Sequence, residues 1–153
     1  MKNEKLTVKR AVTLASLLIF ASLLMPSLRA QSCGGNGTLN GAYRFLATGN
    51  GCRPNQTCPV FPLGSLGIIT FDGSGNLSGS DVHNVAGVSC SRTFTGTYTI
   101  ASDCTGTLTQ VYALPTCGPT RTLGDIVVAP DGSEILLMLP DNSELLTADF
   151  KKQ

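Results

Sequence analysis

Residues 91–100 place Thr93, Thr95, Thr97 and Thr99 on one face of an extended chain and Phe94, Gly96, Tyr98 and Ile100 on the other. A period of two does not fit a helix, whose faces recur about every 3.6 residues, but it fits a strand, and β-branched Thr suits a pleated, half-exposed surface. The same alternation recurs between clusters of turn-forming residues, and no segment after residue 30 carries helical periodicity. Strands are expected at 41–48, 66–72, 77–86, 91–100, 104–113, 122–129, 134–139 and 144–150. Their turns are Gly73-Ser74-Gly75-Asn76, Ala101-Ser102-Asp103, Pro130-Asp131-Gly132-Ser133 and Asp141-Asn142-Ser143. The longest irregular stretch is 49–62.

Eight short antiparallel strands bury their inner faces either by closing into an up-and-down barrel or by stacking as a sandwich. Sequential hairpins favour a meander, and closure also removes exposed edges. Gly67, Gly79, Gly96, Gly106 and Gly124 fall inside strands, where a barrel uses glycine for sharp coiling and close backbone approach. The expected fold is therefore all-β, a single antiparallel eight-stranded barrel, with a β-sandwich as the alternative. An outer-membrane barrel fits poorly, because the Thr face and the absence of Trp supply neither a lipid-facing band nor aromatic girdles.

Residues 1–10 carry Lys2, Lys5, Lys9 and Arg10, an uncharged apolar run covers 11–25, and Pro26 and Ala30 follow. This is the layout of a cleaved secretory signal peptide, and the run is short of the roughly 20 residues of a membrane span. The expected division is 1–30 leader, 31–40 N-terminal segment, 41–150 barrel and 151–153 tail, with no membrane span after cleavage. A retained anchor, or a lipoprotein starting at Cys33, are the weaker alternatives. Of 11 Lys+Arg and 10 Asp+Glu, the leader holds five and one, so the rest carries six bases against nine acids, a formal charge of −3. Lys151 and Lys152 are the one basic cluster left, so a nucleic-acid partner is excluded. The location expected is periplasmic or extracellular.

Six cysteines (Cys33, Cys52, Cys58, Cys90, Cys104 and Cys117) all follow the leader, and an even count in an exported chain reads as disulfides. Zinc would need CxxC or CxxxH spacing, which is missing, and no metal or cofactor is expected. Cys52 and Cys58 flank a polar loop that a bridge could staple. Cys90 and Cys117 stand near opposite ends of a hairpin centred on Ser102, which leaves Cys33 with Cys104. Sequence does not choose among these connectivities.

The segments GAYRFLATG, GIITFDGSGNLSGSD, RTFTGTYTI and SDCTGTLT resemble a group of exported bacterial proteins of unknown function. That group is similar in architecture to eight-stranded barrels of the allene oxide cyclase/dirigent type and, more loosely, to lipocalins. The matching residues are turn and strand residues, from about Gly41 to Thr109, so the resemblance implies a fold. It brings no catalytic residue.

His83 is the one imidazole, and Asp81, two residues away, shares its strand face, so an Asp–His pair is the weak catalytic candidate. Ser80 faces the other way, and no GxSxG elbow is present. A solvated or barrel-mouth histidine is the plainer expectation. Asp72-Gly-Ser-Gly-Asn76 suggests calcium but fails as an EF-hand loop, with Leu77 and His83 at the positions of the required Gly and Glu, and a hairpin turn explains it. Glu134 and Glu144, the only acids of their type after the leader, stand at strand starts beside turns and make a poor glycosidase pair. Asn36, Asn55 and Asn76 head N-x-Ser/Thr triplets that Gly-rich turns produce by chance.

Phe71, Phe94, Tyr98, Leu108 and Tyr112 are the expected barrel lining, joined by Leu66, Ile68, Ile126, Val128, Leu137 and Leu146. Small barrels either fill with side chains or hold one small ligand. Three functions follow: a module binding a small apolar molecule, a structural or surface-interaction protein with a filled core, and a cyclase- or isomerase-type barrel enzyme.

Overall fold

The structure, a computed structural model, describes residues 32–51, 61–113, 120–141 and 144–153. A 3-10 turn (Gly35–Thr38) leads into β1 (Asn40–Gly51), β2 (Phe61–Asp72), β3 (Asn76–Val85), β4 (Val88–Ile100), β5 (Thr105–Tyr112), β6 (Arg121–Val128), β7 (Glu134–Asp141) and β8 (Glu144–Lys152). Each strand pairs antiparallel with its sequence neighbour, and β8 returns to β1, closing an eight-stranded up-and-down barrel. Every strand expected from the sequence is present. β1 and β2 extend into the stretch expected to be irregular, and β8 runs through Lys152, so the expected tail is barrel wall. Gln153 adds a backbone N–H to the Ala42 carbonyl, 3.0 Å away. No helix among the described residues is long and apolar enough to cross a membrane.

The strand period decides what fills the interior. Thr93, Thr95, Thr97 and Thr99 face out, while Phe94, Tyr98 and Ile100 are buried. In β2 the expectation needs correcting. Leu66 and Ile68 are 60% and 46% exposed, whereas Leu63, Ser65, Ile69 and Phe71 are buried. The run Leu66-Gly67-Ile68-Ile69 has apolar side chains on both faces, so its own pattern does not choose a register, and a shift of one residue inverts every side chain. The odd-numbered set wins because it alone puts Phe71 inside. The remaining expected lining residues are buried.

Two layers of rings form the spine of the core. Near the start of β1, Phe71 meets Tyr43 and Tyr98 edge-on, with centroids 5.3 and 4.9 Å apart. Above them Phe45 contacts Phe150 at 5.1 Å and Phe94 at 6.4 Å, and Phe94 meets Tyr112 at 5.7 Å. Such tilted and edge-on pairs add to what burial alone contributes. Gly96 is needed because a Cβ there would lie 1.8 Å from the Thr109 carbonyl oxygen of β5, an approach only a bare backbone permits.

The N-terminal segment closes the end of the barrel where β1 begins. Cys33 is bonded to Cys104 in the β4–β5 turn, with Cα atoms 5.1 Å apart and a sequence separation of 71. Asn36 Oδ1 accepts the Ile100 N–H at 2.9 Å, and the Tyr98 hydroxyl donates to the carbonyls of Asn36 and Leu39, each 3.0 Å away. Burial raises the pKa of both Tyr98 and Tyr43, which keeps these hydroxyls as donors. Tyr43 donates to the Gly132 carbonyl at 2.5 Å. Cys90 is also disulfide-bonded, to a partner outside the described residues. Cys52, Cys58 and Cys117, and with them the Cys52–Cys58 pairing, lie outside the described residues as well.

Candidate functional site

The other half of the barrel interior is polar on one side. Ser65 (β2), Asp81 and His83 (β3), Arg92 (β4), Gln110 (β5) and Thr122 (β6) all point inward and are buried. The alternation that buries Phe94 also buries Arg92 two residues earlier, and the one that buries Leu108 and Tyr112 buries Gln110 between them. Strand register then makes these residues direct cross-strand partners: Ser65 with His83, Asp81 with Arg92, and Gln110 with Thr122.

Each register pair is also a hydrogen-bonded pair. Arg92 grips Asp81 with two donors, Nε to Oδ1 at 2.9 Å and Nη2 to Oδ2. Nη2 also donates to Ser65 Oγ at 3.4 Å, and the guanidinium carbon lies 4.1 Å over the centre of the Tyr112 ring. Ser65 Oγ stands 2.6 Å from His83 Nδ1. Thr122 Oγ1 and the Tyr112 hydroxyl donate to Gln110 Oε1 at 3.0 and 3.2 Å.

Arginine only donates, so Ser65 Oγ accepts from Arg92. The Ser65–His83 contact fits either imidazole tautomer, the hydroxyl giving its proton to Nδ1 in one and accepting the Nδ1 hydrogen in the other. Burial, reinforced by the Arg92 charge and opposed by Asp81, lowers the His83 pKa to about 4, so the ring is neutral at pH 7. His83 Nε2 is buried and has no hydrogen-bond partner among the described residues.

His83, expected to be solvated or at the barrel mouth, is 2% exposed. Asp81 shares its face as expected, but both carboxylate oxygens are taken by Arg92, so the Asp–His pair does not form. Ser65 approaches Nδ1 and no carboxylate orients Nε2, which is not the geometry of a hydrolase triad. Ser80 faces outward.

The polar residues share a cavity of about 30 Å³ with Phe45, Tyr112, Leu137 and Leu146. Of the five expected lining residues Tyr112 alone borders it; Phe71, Phe94, Tyr98 and Leu108 are packed into the core. The β6–β7 ladder beside it is short, running from Asp125–Val128 against Ile135–Met138. Pro140 has no N–H to continue that ladder.

The other candidate groups are engaged locally. Asp72 accepts from Ser74 N at 2.7 Å, Asn76 N at 3.0 Å and Asn76 Nδ2 at 2.7 Å, and these bonds, led by the Asn76 side chain, lower its pKa to about 2. The hairpin-turn reading of this segment holds. Glu134 is ion-paired with Lys151 on the outer surface, and the Glu144 side chain and Asn55 lie outside the described residues. Among the described residues no three His, Cys, Asp or Glu side chains converge on a possible metal site.

The sequence alone does not single out Ser65, Arg92, Gln110 and Thr122. Arg92 and Gln110 carried a signal, since both continue an inward face already recognised. Ser65 carried none, because its strand was expected to begin one residue later. Compared with family models, curated proteins and solved structures, the chain matches none.

Proposed function

We propose that this is an exported, disulfide-stapled barrel that works through its outer surface, its interior being filled by its own side chains. The observation that carries the reading is volume. The cavity lined by the buried polar residues is about 30 Å³, against the roughly 300 Å³ or more of a small-molecule pocket. Export is supported by the leader layout of residues 1–30 and by cysteines that form disulfides, Cys33–Cys104 among them. The likeness to exported bacterial proteins and to cyclase/dirigent-type barrels belongs to the same proposal.

The outer surface offers a place to act. Leu46, Leu66 and Val82 are exposed and lie in register across β1, β2 and β3, with Ile68 beside them. Scattered exposed aliphatics are ordinary on soluble proteins, but a row in register across three strands is a contiguous apolar patch of the kind that contacts partners. An environment-sensitive apolar dye separates outer from inner binding. The reading expects Leu66→Thr/Val82→Thr to lower dye binding and Ala148→Phe, which fills the cavity wall, to leave it unchanged. Dye binding lost in Ala148→Phe and kept in the double variant would overturn it.

A further inference from the structure

His83 Nε2, without a partner among the described residues, and the cavity that His83 lines point to a function for the polar interior that is separate from the outer surface. We propose that the cavity is a binding site for one small, neutral hydrogen-bond acceptor, held by His83 Nε2–H: a water molecule, or the carbonyl oxygen of a solute no larger than formamide.

Three observations converge. The first is the donor. Arg92 donates to Ser65, and Ser65 Oγ stands 2.6 Å from His83 Nδ1; in the proposed site the hydroxyl donates to Nδ1, which puts the imidazole hydrogen on Nε2, a buried nitrogen with no partner among the described residues. Buried donors in folded proteins are almost always paired with protein or with ordered water.

The second is the space. A water needs roughly 10–15 Å³ of this measure and two to four polar partners. The cavity has about 30 Å³, and Gln110 and Thr122 line it together with His83. An apolar guest of useful size does not fit, and its presence would leave the donor unpaired.

The third is charge. Among the described residues Arg92 is the one cation lining the cavity, and Asp81 holds it through two bonds. With His83 neutral, the wall carries no spare positive charge, so a neutral acceptor is favoured over an anion.

A route for exchange lies alongside. Thr122 and Leu139 line the cavity and both stand beyond the end of the β6–β7 ladder. Among the described residues the β6–β7 register does not extend to that seam.

Proton–nitrogen NMR of the ¹⁵N-labelled protein as purified, at neutral pH, tests the site. The expected result is a neutral His83 with hydrogen on Nε2, and a cross-peak from that hydrogen to a long-lived water. Titration with formamide then distinguishes the sources. An unchanged cross-peak assigns water, and its replacement by a shifted Nε2–H resonance assigns a solute carbonyl; both support the site. In Ser65→Ala the preference for the Nε2–H tautomer is lost, and in His83→Phe the cross-peak disappears. A wild-type ring with hydrogen on Nδ1, a charged ring, or an Nε2–H that contacts neither water nor formamide would overturn the proposal.

Discussion

Asp81 on β3 and Arg92 on β4 are direct cross-strand partners inside the barrel, and both oxygens of the carboxylate are bound by the one guanidinium. Both side chains are almost wholly removed from solvent. Desolvating two charges is costly, and the bidentate geometry with the Ser65 and Tyr112 contacts offsets that cost.

Removing one partner leaves the other charge buried and unpaired. Asp81→Ala is expected to lower stability by about 3–5 kcal/mol. The double variant Asp81→Leu/Arg92→Met is expected to lose much less than the sum of the single changes, as read by urea unfolding. Additive losses would mean that the two groups do not interact.

His83 makes stability depend on pH. Its folded pKa of about 4 lies below the ordinary value of 6.5, so between those values the unfolded chain binds the extra proton. The stabilisation is complete above pH 6.5 and is lost as pH falls towards 4, by roughly 3 kcal/mol in all. His83→Gln should flatten this part of the stability profile. An unchanged slope in the variant would assign the dependence elsewhere.

Gly96→Ala is expected to cost about 3 kcal/mol or to prevent folding, because the new methyl meets a backbone carbonyl that cannot move without breaking the β4–β5 ladder. Gly37→Ala has open space around it and should stay within about 0.5 kcal/mol of the parent. Equal effects in thermal melts would show that the close approach at Gly96 is absent.

The Cys33–Cys104 bridge closes a long loop, and with a sequence separation of 71 it should stabilise the barrel by about 4 kcal/mol. Cys33→Ala/Cys104→Ala should show that loss in denaturant. It should also speed hydrogen exchange at the Ile100 N–H, whose acceptor Asn36 the bridge holds in place. Unaltered exchange there would mean that the N-terminal turn docks without the bridge.

The barrel was legible because its signals are local: alternation over eight runs, with turns whose Asp and Ser residues bond their own backbone, as Asp131 does with Ser133 N at 3.0 Å. Leu66 and Ile68 were misplaced where apolar residues occupy both faces and only the position of Phe71 chooses between them. The site was harder to read because it is a product of register. Asp81 and His83 could be put on one face from their spacing, but that Arg92 would take the carboxylate and Ser65 the imidazole depends on which residues of neighbouring strands stand opposite, and sequence periodicity leaves that open. Buried polar residues on an inward face look, in sequence, like breaks in an apolar pattern.

Native mass spectrometry of the protein, challenged with a series of fatty acids and aromatic lactones, tests the filled interior most directly. The account predicts the mass of the chain alone, with no one-to-one adduct surviving gentle desolvation. A stoichiometric complex abolished by Ala148→Phe and retained in Leu66→Thr/Val82→Thr would contradict it, since the barrel would then open a pocket for an apolar guest.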